Sequence, residues 1–404
     1  MSDVLRRPAD TYSPIYFLAS LGAGGIAVSF FMFLMFWVPR GDRPVPVFED
    51  IAAAFATGGL PMQLAIVVAA IGIAIFAFLN IRSLIWNLRS LAAFKQTEAY
   101  EKLRGSNAES TLLAMPLALA MSVNVMFILG LVFVPRLWSI VEYLFPAAMV
   151  AFGLIGLLAF RMLADFLGRV LTKGGVFDVT AHNSFAQLLP AFALSMVAVG
   201  FAAPAAMSTA TVTVGAALVL STFFGITALV YAVVAAITAF NSMLHYGTAR
   251  ESGPTLMIIV PLMTVLGIMF LRQEHGLHTT FDTHGTAGET MVFLARLLTV
   301  QIVFLGLGML VLLRQGYFKD FVLGGKTSPG SYALVCPAVA LSVMLHFFIN
   351  KGLVEAAVVD KFSLAYWVLS ALALASQAVA IALVVRLNRQ HFARTVQPAA
   401  VPAE

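Results

Sequence analysis

The sequence predicts an all-α integral membrane protein whose ten transmembrane helices are arranged as five tandem hairpins, one transmembrane domain spanning 1–404. Three observations carry this. Only 11% of the 404 residues are charged and 61% are hydrophobic. Soluble domains run at roughly a quarter charged, so water is not the main solvent. Ten apolar stretches reach the length of about 20 residues that a helix needs to cross the hydrocarbon core. A proline, or a glycine in its place, also returns at one register in every second stretch.

The ten stretches are 14–38, 62–88, 110–134, 139–169, 183–207, 212–243, 253–272, 287–314, 328–350 and 362–387. The first is too long for a cleaved signal peptide, and no small-residue cleavage pattern ends it. No long polar segment separates the stretches, so a soluble module is not expected. Residues 89–109, with Arg89, Lys95, Glu98, Glu101, Lys102 and Arg104, read as a polar helical connector. The tail after Arg394 reads as a disordered end.

Charge sets the orientation. With ten spans, both termini share a face with the 2–3, 4–5, 6–7 and 8–9 connections. That face carries Arg6, Arg7, Arg82, Arg89, Lys95, Lys102, Arg104, Arg161, Arg169, Lys173, Arg250, Arg314, Lys319, Lys326, Arg386, Arg389 and Arg394. The other has Arg40, Arg43, Arg136, Arg272, Arg296, Lys351 and Lys361. Seventeen against seven puts both termini in the cytoplasm by the positive-inside rule, with the protein multi-pass in the cytoplasmic (inner) membrane. Topology thus accounts for the net charge of +5, and no nucleic-acid partner is expected beside the lipid bilayer.

The repeat defines the hairpin. Pro116 in LLAMPLALAMS, Pro190 in AQLLPAFALSM, Pro261 in MIIVPLMTVLG and Pro337 in ALVCPAVALSV stand in similar surroundings. Ser13-Pro14-Ile15 resembles Ser328-Pro329-Gly330, which puts Gly22 in the proline's place on the first span. Even-numbered spans end at polar residues: Asn80 with Arg82, Arg161, Asn241, Arg314 and Arg386. Each proline removes a backbone hydrogen bond and tends to kink a helix. Five kinks at one depth, set in a ring, would narrow a central passage. Its expected constriction is Gly22, Pro116, Pro190, Pro261 and Pro337 with the preceding Leu21, Met115, Leu189, Val260 and Cys336, none charged.

Five tandem hairpins, Ser-Pro-type starts and a Pro or Gly on each odd span resemble the tellurite-resistance/dicarboxylate transporter family, which includes the slow-type anion channels of plants. The resemblance covers about residues 10–390. It implies a pseudo-fivefold central pore lined by the odd spans, an outer ring of even spans, and a homotrimer with one pore per protomer. It also implies passive or gated movement of monovalent anions, sulfite or C4-dicarboxylates. One departure stands out. The family gates with a phenylalanine on the ninth span, aligned here to Cys336. Either the register differs, or Phe347 or Phe348 serves, or gating is by other means.

The residues bear on selectivity. Ser13 with Pro14, Ser110, Asn183 or Ser184, Ser252 with Pro254, and Ser328 with Pro329 read as caps of the odd spans. Each helix N-terminus carries roughly +0.5 charge, so five converging would attract anions without a buried lysine. No lysine or arginine is expected on an odd span between its start and the external interface. Ser342 and His346 are four apart and share a face. Ser195 matches Ser342 in the repeat, and Ser20 lies about seven positions earlier on that face. Asn124 and Thr264 complete the polar candidates. A hydroxyl-lined pore suits ions that must be held weakly; single serines also serve as packing between helices.

His346 is the one histidine well inside a predicted span, so it is either a proton site or a packed neutral ring. A lone intramembrane histidine gives no paired haem ligands, and the single Cys336 excludes a disulfide or a cysteine-based metal site within one chain. His275, His278 and His284, with Glu274, Asp282 and Glu289, fit no standard metal spacing and read as a solvated external loop. Glu289 and Arg296 form a candidate ion pair. The GAGG run at 22–25 is a close-approach surface inside a helix and not a phosphate loop. No catalytic constellation is present, so an enzyme is not expected, and no cofactor or metal. Two functions remain: an anion channel or facilitative transporter, and a proton-coupled secondary transporter of an oxyanion or organic acid using His346.

Overall fold

The computed structural model describes residues 9–173, 178, 180–181 and 183–392. Arg6, Arg7, Arg394 and the tail beyond it lie outside the described residues. The chain is all-helical, and among the described residues there is no strand. Among the described residues, ten helical segments are long and apolar enough to cross a membrane: Pro14–Trp37, Leu60–Phe94, Asn107–Phe133, Leu137–Lys173, Phe185–Met207, Thr211–Tyr246, Arg250–Phe281, Ala287–Arg314, Pro329–Val354 and Leu364–Phe392.

The α-helices are α1 (Phe17–Trp37), α2 (Phe48–Thr57), α3 (Leu60–Phe94), α4 (Glu98–Arg104), α5 (Ala114–Phe133), α6 (Val141–Lys173), α7 (Leu189–Met207), α8 (Thr211–Tyr246), α9 (Ile259–Phe281), α10 (Ala287–Arg314), α11 (Val335–Phe347) and α12 (Leu364–Phe392). The polar connector contains the end of α3 and the short helix α4, capped by Thr97 accepting from the Tyr100 amide. The amphipathic helix α2, between the first two spans, is an element the ten-stretch reading lacks.

The odd spans are the inner ones. Between 61% and 94% of their most apolar windows is buried, against 17% to 39% for the even spans. Helix α1 packs on α5 and α11, α5 on α7, α7 on α9, and α9 on α11, so contacts run round a closed circuit. Each even helix lies against its own predecessor: α3 on α1, α6 on α5, α8 on α7, α10 on α9 and α12 on α11. Exposed Val67, Ile71, Phe78, Val219, Phe223, Ile302 and Val368 lie on even helices, where only a lipid-like solvent leaves such side chains at ease.

The prolines do not break running α-helices. Each odd span opens with a 3-10 segment: Pro14–Tyr16, Asn107–Leu113, Phe185–Leu188, Arg250–Met257 and Pro329–Leu334. Pro116, Pro190, Pro261 and Pro337 are the second or third residue of the α-helix that follows. First-turn N–H groups have no intrahelical partner, so proline fits there without losing a bond. The kink is replaced by a 3-10 to α junction. Gly22, by contrast, lies inside α1. A Cβ there would stand 2.7 Å from Val335 Cγ1, and one at Gly25 would stand 2.8 Å from Val339 Cγ1. The GAGG run is therefore where α1 and α11 come closest.

The 3-10 segments also touch one another in a closed circuit, Pro14–Tyr16 on Asn107–Leu113 and on Pro329–Leu334, and so round. We call this ring the collar. Ser13, Ser184 and Ser328 cap their segments, accepting from the amides of Ile15, Ala186 and Gly330. Ser110 and Ser252 do not cap: they lie inside their 3-10 segments, after Ser106 and Ala249. Even helices brace the inner ones with polar side chains. Asn80 Nδ2 donates to the Ser20 carbonyl at 2.8 Å, and Ser122 Oγ donates to Asn80 Oδ1 at 3.0 Å, which joins α1, α3 and α5. Gln301 Nε2 donates to the Val260 carbonyl at 2.8 Å.

Candidate functional site

A cavity of about 690 Å³ lies within the circuit of inner helices, on the face away from the termini, with lining residues from α1, α5, α7, α9 and α11. Its deep end is formed by Leu21, Gly22, Phe192, Pro261 and Cys336. The walls are mostly apolar, with Met121, Met196, Val199, Val339 and Phe347. A second, smaller cavity of about 230 Å³ opens at the collar and is lined by Ser13, Ser110, Ser184, Ser252 and Ser328 together with Glu251. On the spans between the two cavities stand Leu18, Leu112, Ile258 and Ala333, all buried in one apolar cluster.

The sequence-named residues divide. Leu21, Gly22, Pro261 and Cys336 line the large cavity, as do Asn124 and Thr264. Met115, Pro116, Leu189, Pro190 and Val260 are not among its lining residues; all but the partly buried Met115 are buried. Asn124 Nδ2 donates back to the Ala120 carbonyl at 3.1 Å. Thr264 Oγ1 donates to the Ala340 carbonyl at 3.0 Å and accepts from Gln301 Nε2 at 2.5 Å.

Ser20, Ser195, Ser342 and His346 are fully buried and also stand outside the lining. Ser20 Oγ donates to the Asn80 carbonyl at 2.9 Å, and Ser195 Oγ to that of Phe192 at 2.8 Å. Both ring nitrogens of His346 and the Ser342 hydroxyl lack a hydrogen-bond partner among the described residues. The His346 ring sits among Phe33, Phe36 and Trp37, with centroids 5.9 to 6.4 Å away. Phe347 lines the cavity, ten residues beyond Pro337 toward its mouth.

The outer wall corrects the sequence reading. Helix α9 runs on to Phe281 and ends at Asp282 in the left-handed region (φ 54°). The polar residues after Arg272 therefore continue the helix, and His275 and His278 lie on it instead of in a loop. The His278 and His284 rings approach to 5.7 Å between centroids, but among the described residues no group of three or more His, Cys, Asp or Glu side chains could hold a metal ion. Glu289 does not pair with Arg296: it forms a capping box with Thr286 at the start of α10.

The α9 extension also puts a cation on an inner helix. Arg272 lines the cavity, and its Nη1 donates to the Val199 carbonyl of α7 at 2.8 Å. Arg40, Arg43 and Lys351 join it, with Asp42, Glu274 and Glu355 as the acids. Arg43 is engaged by Asp50, and Lys351 Nζ by Glu355 at 2.5 Å. Arg40 has no carboxylate partner; it donates to the carbonyls of Met35 and Arg43. Burial pushes the Arg40 guanidinium below its ordinary value, with Glu355 and Asp50 acting against that. Lys361 is lowered too, by burial first and by Arg40 second.

Sequence reasoning missed Phe192, Arg40 and Arg272 as cavity residues. A signal for Arg272 existed. Residues 272–281 contain neither proline nor a turn cluster, so nothing in them ends a helix before Asp282. No protein-family model, curated protein or solved structure matches the chain.

Proposed function

We propose that this protein is a channel or facilitative transporter for small anions across the cytoplasmic membrane, built as five tandem hairpins about a pseudo-fivefold axis. The observation that carries the reading is the cavity itself. It is bounded by all five inner helices and reaches down to Leu21, Gly22, Pro261 and Cys336, and the spans carry the buried apolar Leu18, Leu112, Ile258 and Ala333 between it and a second cavity at the collar. Two cavities on the same five spans with buried apolar side chains between them fit a closed conduit gated by dewetting.

The polarity supports anions. Five 3-10 segments meet at the collar, where Ser13, Ser110, Ser184, Ser252 and Ser328 line the small cavity and helix starts carry partial positive charge. The mouth of the large cavity carries Arg40, Arg272 and Lys351. Glu251 at the collar works against this attraction and sets a limit on its strength. The resemblance to the tellurite-resistance/dicarboxylate transporter family points the same way. It suggests small inorganic anions, sulfite or C4-dicarboxylates as cargo and a homotrimer as the assembly. The excess of lysine and arginine on the face of the termini supports a cytoplasmic position for that face.

A passive path fits better than proton coupling. Coupling through His346 would need that ring on the path, and it lies outside the cavity lining, among Phe33, Phe36 and Trp37. The test is flux from liposomes containing the purified protein, with chloride, nitrate, sulfite and succinate compared at matched pH. Uptake driven by the anion gradient alone is the expected result. Uptake that appears only with a proton gradient would replace this reading with the coupled carrier, and no uptake of any anion would remove both.

A further inference from the structure

We propose that Arg272 is a binding and selectivity residue for a small carboxylate anion in the outer cavity, an inference that rests on the anion reading above. Three observations converge on it. Arg272 is the charged residue set deepest along α9, eleven residues, or about 16 Å at 1.5 Å per residue, beyond Pro261. It lines the cavity. It forms no ion pair among the described residues.

The hydrogen bonding leaves the guanidinium incomplete. Arginine has five N–H donors, and Arg272 uses one, Nη1 to the Val199 carbonyl. That bond fixes the plane of the group against α7. The remaining donors have no partner among the described residues. The nearest acid in sequence does not serve: Glu274 lines the same cavity two positions on, but its carboxylate lies against Gly285 in the loop after α9 and forms no ion pair with Arg272 among the described residues. Of the other cations on the wall, Arg43 and Lys351 are already held by Asp50 and Glu355. Arg272 and Arg40 remain free of carboxylates.

The chemistry then selects the ligand. A planar guanidinium fork matches an anion presenting two oxygens in one plane, and does so better than it matches a spherical halide. The neighbouring wall is apolar, with Met196, Val199, Ile268 and Leu271. A carboxylate with a short hydrocarbon body satisfies both surfaces at once. A single partly buried cation near the mouth, already sharing one donor with a carbonyl, gives a site that an anion can also leave.

Two measurements on the full chain test this. Bi-ionic reversal potentials with acetate against chloride give the permeability ratio for wild type, R272K and R272Q. The expected result is a fall in the acetate-to-chloride ratio of about tenfold in R272Q, with R272K between, because lysine keeps the charge but loses the fork. Thermal unfolding of the detergent-solubilised protein with and without acetate, at constant ionic strength, reads binding without flux. Acetate raises the midpoint of wild type, less that of R272K, and not that of R272Q. A wild type that passes anions with a ratio unchanged in R272Q overturns the site and leaves the anion reading intact. A wild type that passes no anion but shows the acetate shift, lost in R272Q, removes the anion reading and keeps the site. Absence of the acetate shift in wild type overturns the site whatever the flux.

Discussion

The collar and the outer cavity are built from the same five spans, yet the collar leaves a space of only about 230 Å³ while the outer end encloses about 690 Å³. The difference lies in what each end offers for contact. At the collar the segments are short 3-10 turns rich in serine, proline and small residues, and they approach backbone to backbone. A Cβ on Gly330 would stand 2.1 Å from the Glu251 carbonyl oxygen of the neighbouring segment. At the outer end the spans are α-helices, with a π-helical segment Phe348–Val354 on the ninth, carrying Phe, Met, Leu and Arg, which hold the backbones apart and leave a space. Backbone contact draws the collar in to a small cavity, and side-chain contact holds open a larger vestibule.

The largest effect that would break this contrast is a block. Cys336, the only cysteine in the sequence, lines the deep end of the cavity and is 8% exposed. A bulky thiol reagent added from the face away from the termini should abolish flux, and Cys336→Ala should be immune. Reaction that leaves flux unchanged would mean the cavity is not on the path.

Next in size is a packing test of the collar. Gly330→Ala must push one segment off the Glu251 carbonyl, an overpacking cost of about 1–3 kcal/mol. Gly288→Ala, at the outer start of α10, meets nothing within 4 Å and should stay within about 0.5 kcal/mol of wild type. Thermal unfolding in detergent compares them, and equal losses would show that the collar is no tighter than the mouth.

A similar loss is expected from Glu109, which is 4% exposed and paired with both Arg104 and Arg169 beside the collar. Glu109→Gln leaves two cations facing a neutral amide, at a cost of about 1–3 kcal/mol. Unfolding at high salt should recover little of it, because a buried carboxylate is poorly screened.

The smallest effect concerns pH. Asp320 accepts from Lys326 and Arg250, and these bonds hold its carboxyl below the ordinary carboxylate value. A depressed folded pKa means the contribution is complete above the unfolded value of about 3.9 and fades as pH falls from there through the lower folded value. Asp320 is exposed to solvent, so the change should be slight and salt-sensitive. Asp320→Asn should flatten the acid limb of midpoint against pH; an unaltered limb would assign it to other carboxylates.

Much of the fold was legible because lipid forces simple patterns. The ten spans follow from apolar length alone, and the repeat of Pro116, Pro190, Pro261 and Pro337 marked the inner helices. Less legible was which face of a helix meets the cavity. Ser342 and His346 share a face by spacing, but that face turns toward α1, because the Gly22 and Gly25 surface admits α11 closely. A helix that is apolar all round carries no periodic signal to show its orientation. Arg272 was hidden for the opposite reason: polar residues that continue a helix beyond the apolar stretch look the same in sequence as a loop.

The central claim, that anions pass along the inner helices, is tested most directly by the reversal potential of the purified protein in a planar bilayer under a salt gradient. The account predicts a value near the anion equilibrium potential, unchanged in His346→Ala, since that ring is off the path. A value near the cation equilibrium potential would contradict it.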